Sequence, residues 1–246
     1  MSSSLVMLVI AAVFIGALMR ASFGFGEAVV SMPLLALLPI NLHTSISLIG
    51  LAGLTVAIFT IKSNWHHVER PIILRLGLST ILGIPAGLFL VTYAPKRIIM
   101  LALGSFLMVY GVCSLRTPFL TKPSQNALLL QPSWAYPFGF CAGMLGSAYN
   151  FNGVPVVVYG TLRKLEPERF RATLQAHFLI SGLLVVFGQA LGGLWTKELL
   201  LLYGFSLPAI VLATLLGVFI HRRLPSQKFE RYVFILIILL GALLVF

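Results

Sequence analysis

Acidic charge is the scarcest chemistry in this chain. Its 246 residues hold six acidic side chains against 17 Lys and Arg, and all six acids are glutamate. Aspartate does not occur, which leaves few groups for acid–base or metal chemistry. The HExxH, GxSxG and GxxxxGK patterns are missing as well, so no enzyme, cofactor or nucleotide loop is expected. Cysteine is almost absent. Cys113 and Cys141 both sit in apolar runs and are expected to be small core residues, with neither a disulfide nor a metal site. His66 and His67 are adjacent but have no further ligands at metal spacing. The N-terminal MSSSLVMLV lacks a positive n-region, so a cleaved signal peptide is not expected.

What is present is apolar. The chain is 59% hydrophobic and 9% charged, with a mean hydropathy of +1.02. Long apolar segments recur from end to end, without the alternation of a membrane barrel. This describes an all-α, polytopic membrane protein. The net charge of +11 then belongs to loops beside anionic lipid, and nucleic acid is not an expected partner.

Residues 20–33, RASFGFGEAVVSMP, interrupt this pattern with Gly24 and Gly26 at alternate positions, flanked by Arg20 and Glu27. The flanking apolar arms, 5–19 and 28–42, each give roughly 22 Å of helix, short of a hydrocarbon core of about 30 Å. The expected structure is a broken or re-entrant hairpin. Three fuller segments follow at about 44–62, 72–93 and 97–115. The second half repeats the order: arms at 133–149 and 153–162 around the tip of GSAYNFNGVP, then segments at about 170–191, 198–220 and 229–246. Gly24-Phe25-Gly26-Glu27 lies over Asn150-Phe151-Asn152-Gly153. At nearly the same offset, Gly87, Phe89, Pro95 and Gly111 fall on Gly217, Phe219, Pro225 and Gly241. The expected organisation is a first transmembrane repeat over 1–116, a cytoplasmic linker over 117–132 and a second repeat over 133–246.

A hairpin returns to its own side, so each half adds three net crossings and the second half is inverted relative to the first. Loops at 62–75, 116–132, 163–171 and 221–231 then share one side and hold 13 of the 17 Lys and Arg. That bias places them in the cytoplasm and both termini outside.

The tips are the candidate substrate site. Glycine lets the backbone turn and brings N–H groups close to a ligand. Arms opening near Ala28 and Val154 would present free N–H groups and positive dipole ends to an anion. Pro155 suits the first turn of such an arm. Ser22, Gly24, Phe25 and Gly26 belong to the first tip; Ser147, Tyr149, Asn150, Phe151, Asn152 and Gly153 belong to the second. Glu27 admits three roles: proton carrier, cap of the second arm, or ion-pair partner of Arg20. Arg20 either attracts an anion or neutralises Glu27. Gln175, His177 and Gln189 share one apolar crossing without specifying a single face; His177 is expected to be a satisfied interhelical residue. Arg163, Lys164, Arg169 and Arg171 form an interfacial basic loop.

FGFGEAVVSMPLLALLP, followed by a helix opening at His43-Thr44-Ser45, and its counterparts YNFNGVPVVVYGTL and RFRATLQAHF resemble the TauE/SafE-type sulfite exporter family of membrane permeases. The resemblance implies a multi-pass inner-membrane permease with two repeats around a central site. It implies small sulfur-containing or organic anions as substrates: sulfite, sulfoacetate or other organosulfonates. It carries Gly24, Gly26, Asn150, Asn152 and Gly153 over as tip residues. The expected function is secondary transport, with proton coupling through Glu27 as one option; a passive anion channel and an intramembrane lipid-acting enzyme are the alternatives. Expected partners are the anion, the bilayer and, as one option, a second copy in a homodimer.

Overall fold

The structure, a computed structural model, describes residues 2–60, 68–116, 131–163 and 167–221 and six positions between 235 and 245. Most of the expected segment at 229–246, His66, His67, Lys164 and most of the linker lie outside the described residues. Those described form helices and connections, with no strand among them.

The first half holds α1 (Ser3–Phe23), α2 (Glu27–Ala36), α3 (Leu42–Thr60), α4 (Arg70–Tyr93) and α5 (Lys96–Arg116). The second holds α6 (Ala135–Tyr149), α7 (Gly153–Leu162), α8 (Pro167–Leu191) and α9 (Lys197–His221). Among the described residues, α1, α3, α4, α8 and α9 are long and apolar enough to cross a membrane. Their outward faces carry bare Leu74, Leu82, Phe89, Phe187, Leu201 and Phe205, a surface for lipid rather than water.

The first arm differs from expectation. Residues 5–19 are not a short arm but part of the 21-residue α1, about 31 Å long. The helix continues through Arg20 because that charge is paired within the protein. The second arm is shorter than 28–42: α2 stops at Ala36, before Pro39. The cysteines also differ. Cys113 is exposed and Cys141 only half-buried, so neither is a core residue.

Three left-handed residues set the breaks. Gly24, at φ 86°, ends α1 with its N–H on Arg20 O, and Gly26, at φ 97°, precedes α2. Asn150, at φ 60°, ends α6, where its N–H reaches Gly146 O and that of Phe151 reaches Leu145 O. The paired bonds close the helix end on a conformation that glycine and asparagine tolerate.

Contacts along each hairpin show the chain doubling back. On α2, Glu27 meets Arg20, and one turn later Ser31 donates to Ala12 O at 2.9 Å. In the other hairpin Asn152 lies beside Gly146, and Tyr159 reaches Phe138 with ring centroids 5.7 Å apart. Both short helices therefore run antiparallel to the helices before them.

The halves interlock. The most extensive packing joins α4 to α6 and α1 to α9, a pairing that exchanging the halves maps onto itself. Along α4 and α6 the register is parallel: Gly139 sits on Leu76, Gly143 on Thr80, Gly83 on Phe140 and Gly87 on Met144. Two glycine pairs spaced four apart thus let the backbones approach closely. Thr80 Oγ1 donates to Gly139 O at 3.1 Å, and Ser147 Oγ to Ile84 O at 3.0 Å. Gly217 on α9 makes the corresponding approach to Leu18, Ala21 and Ser22 of α1. Against α3, α8 runs antiparallel: Gly50 faces Val186 and Gln189, Leu54 faces Gly182, and Thr60 faces Gln175.

A methyl group at Gly143 would collide with the Thr80 backbone, whereas one at Gly204 of α9 would meet nothing within 4 Å. Gly143→Ala is expected to cost about 1–3 kcal/mol, and Gly204→Ala to change stability by less than about 0.5 kcal/mol. Thermal unfolding of the two purified variants checks the contrast.

Candidate functional site

The two tips meet at one cleft. Its empty space, counted out through its open mouth, is about 550 Å³. From the first tip it is lined by Phe25, Gly26 and Glu27, with Arg20 behind them; from the second by Asn150, Phe151, Asn152 and Gly153. The tips approach each other closely, since a Cβ on Gly153 would lie 3.8 Å from Phe25 Cβ. Gly24, Ser22, Ser147 and Tyr149 do not line the cleft. Gly24 is buried and its carbonyl accepts from Gln175 Nε2 at 3.2 Å. Ser22 and Tyr149 are buried. Ser147 spends its hydroxyl on the α4–α6 contact.

The first turns of α2 and α7 both open onto the cleft, through Ala28 and Val29 on one side and Gly153 and Val154 on the other. N–H groups in the first turn of a helix lack intrahelical partners. Both ends therefore offer donors and a positive dipole end to the same space. Pro155, three residues into α7, withholds a donor where none is needed.

Arg20 and Glu27 form a buried ion pair, Nη1 to Oε2 at 3.0 Å, with side chains 10% and 4% exposed. The guanidinium also lies over the Phe178 ring, 4.7 Å from its centroid. Arg20 Nε and Glu27 Oε1 have no hydrogen-bond partner. Glu27 does not cap α2 through its side chain. Gly53 of α3 makes room for the pair: a Cβ there would stand 2.6 Å from both Arg20 Nη1 and Glu27 Oε2.

Several lining residues escaped the sequence reading. Gly50, Gly53, Phe178, Gly182 and Val185 all face the cleft. The signal for the first two was the spacing of glycines along one face of I-G-L-A-G-L, which also fits plain helix packing. The asparagines are held rather than free. Asn150 Nδ2 donates to Ile46 O at 2.5 Å, and Asn152 Nδ2 to Ser181 Oγ at 2.7 Å. His177 lies 3.2 Å from Thr80 Oγ1 through Nε2, while Nδ1 has no partner, so it is only half satisfied. Of the basic loop, Arg169 pairs with Glu69 at 2.8 Å, and Arg163 approaches Tyr159 OH at 3.4 Å.

Because the pair is buried, removing either partner strands the other charge. Arg20→Gln and Glu27→Gln are each expected to destabilise by about 3–5 kcal/mol. The double variant should lose clearly less than the sum of the two, as measured by a thermal-unfolding double-mutant cycle.

No curated protein and no solved structure is significantly similar to the chain. The profile of the family described as Sulfite exporter TauE/SafE matches residues 8–244, nearly the whole chain, including both tips and α2 to α9 entire. With membrane-length apolar helices on the page and a match of that extent, the chain belongs to the TauE/SafE sulfite exporter family of multi-pass membrane transporters.

Proposed function

We propose that this transporter carries a small sulfur oxyanion, sulfite or an organosulfonate, and holds it in the cleft between the two tips. The observation that carries the proposal is the convergence of two helix N-termini on one space. Backbone donors recognise the negatively charged oxygens such anions share. Phe25 and Phe151 form apolar walls, and the small size of the cleft favours compact solutes.

A lone carboxylate beside this site would oppose an anion. At about 5 Å and an effective dielectric of about 20, the repulsion is of order 3 kcal/mol, more than a hundredfold in affinity. The ion pair with Arg20 removes it, which supports neutralisation as the main role of Arg20. Proton coupling is the second reading, and the buried, unpartnered Glu27 Oε1 favours it.

The two halves act as inverted repeats that rock about the cleft and expose it to either side in turn. The self-mapping of the α4–α6 and α1–α9 contacts supports this reading. So does the antiparallel register of α3 and α8, which hold equivalent places in their halves. Both termini then face outward and the basic loops face the cytoplasm.

Radiolabelled sulfite uptake into proteoliposomes tests the substrate class; no flux for any sulfur oxyanion would overturn it. Gly26→Val keeps open space around the new side chain but forces a β-branched residue to φ 97°. It is expected to insert normally and to lose at least about tenfold in uptake, a change of about 1.4 kcal/mol. A reporter fused after Phe246 is expected to be active only on the outer side. Cytoplasmic activity would contradict the inverted arrangement.

A further inference from the structure

Beside the anion cleft, on the α3 turn that precedes Gly53, two side-chain amides face the same spot. Asn150 donates through Nδ2 to Ile46 O, and Gln189 donates through Nε2 to Ser147 O at 3.3 Å. An amide whose nitrogen is committed to a carbonyl acceptor must turn its oxygen the other way. Both oxygens turn toward Gly50. The position of a Cβ on Gly50 is 2.8 Å from Gln189 Oε1 and 3.0 Å from Asn150 Oδ1. Gln189 is fully buried, and its Oε1 has no hydrogen-bond partner.

Two convergent acceptors, one of them buried and unsatisfied, suit a positively charged or donating occupant and repel an anion. The C-terminal end of α6, with its negative dipole, closes the same corner at Asn150. The donor set is hard, neutral oxygen. Calcium sites lean on carboxylates, and transition metals on nitrogen or sulfur. Amide and main-chain oxygens at a helix break suit an alkali cation. The nearest fixed charges, Arg20 and Glu27, sit one helical turn away against Gly53 and cancel each other.

We infer that Asn150 Oδ1 and Gln189 Oε1, beside Gly50, form part of a binding site for a monovalent alkali cation next to the anion cleft. A cation there attracts an anion held at the α2 and α7 N-termini, so the two would be bound and moved together. Only that coupling rests on the proposed function; the site itself rests on the amide geometry.

The experiment is thermal unfolding of the purified full chain in NaCl, KCl or choline chloride at constant ionic strength, with no sulfur anion present. NaCl or KCl is expected to raise the midpoint saturably above its value in choline. Gly50→Ala puts a methyl group against both oxygens while improving the intrinsic helix propensity of α3. It should fold in choline and need more than tenfold higher salt for the same shift. Gln189→Glu keeps the oxygens, adds negative charge and should lower the half-saturating concentration. Coincident melting curves in all three salts would overturn the site, as would an unchanged response in both variants. A cation response without sulfite uptake would contradict the anion reading alone; uptake without a cation response would contradict the cation site alone.

Discussion

One constraint recurs through this protein: a helix that breaks must find partners for the backbone groups it frees. The breaks after Phe23 and Tyr149 satisfy their carbonyl ends locally, through left-handed Gly24 and Asn150. Their amino ends are turned toward a shared cleft. Irregular backbone at membrane depth survives only where protein or a polar cavity surrounds it. Here the long helices supply the protein wall and the cleft supplies the cavity. The same feature that keeps the break tolerable is the one on which the proposed anion site rests.

The buried Arg20–Glu27 pair is a second consequence. A charge on α1 would stop the helix from continuing into the apolar layer. Pairing it across the hairpin, over Phe178 and against Gly53, lets α1 run its full length and fixes α2 beside it. The sequence allowed three roles for Glu27, and the geometry favours the ion pair. Pairing also lets the two charges beside the cleft offset each other.

Much of the architecture was legible because membrane helices announce themselves by length and hydropathy. Residues 153–162 were expected as the apolar arm following the Asn-Phe-Asn-Gly tip, and the structure places α7 over the same span. The tips were visible because few residues tolerate a left-handed backbone. The length of α1 was misjudged because a charge such as Arg20 reads as a helix boundary, whereas pairing with Glu27 lets the helix run through it. Gly50 and Gly53 went unnoticed as cleft residues for a different reason. Their meaning depends on contacts between halves, such as Gly50 with Gln189 and Gly50 with Asn150, and no local pattern encodes those. The glycine pairs Gly83/Gly87 and Gly139/Gly143 follow the same rule: each is an ordinary spacing until the other helix is known to lie across it.

The central claim is that an oxyanion sits between the N-termini of α2 and α7. The most direct test is an experimental structure of the protein in lipid nanodiscs with selenite, an electron-dense analogue of sulfite. The account predicts density in the cleft within hydrogen-bond reach of the N–H groups of Ala28 or Val29 and of Gly153 or Val154. Selenite bound elsewhere in the protein, with the cleft between Gly26 and Gly153 closed by side chains, would contradict it.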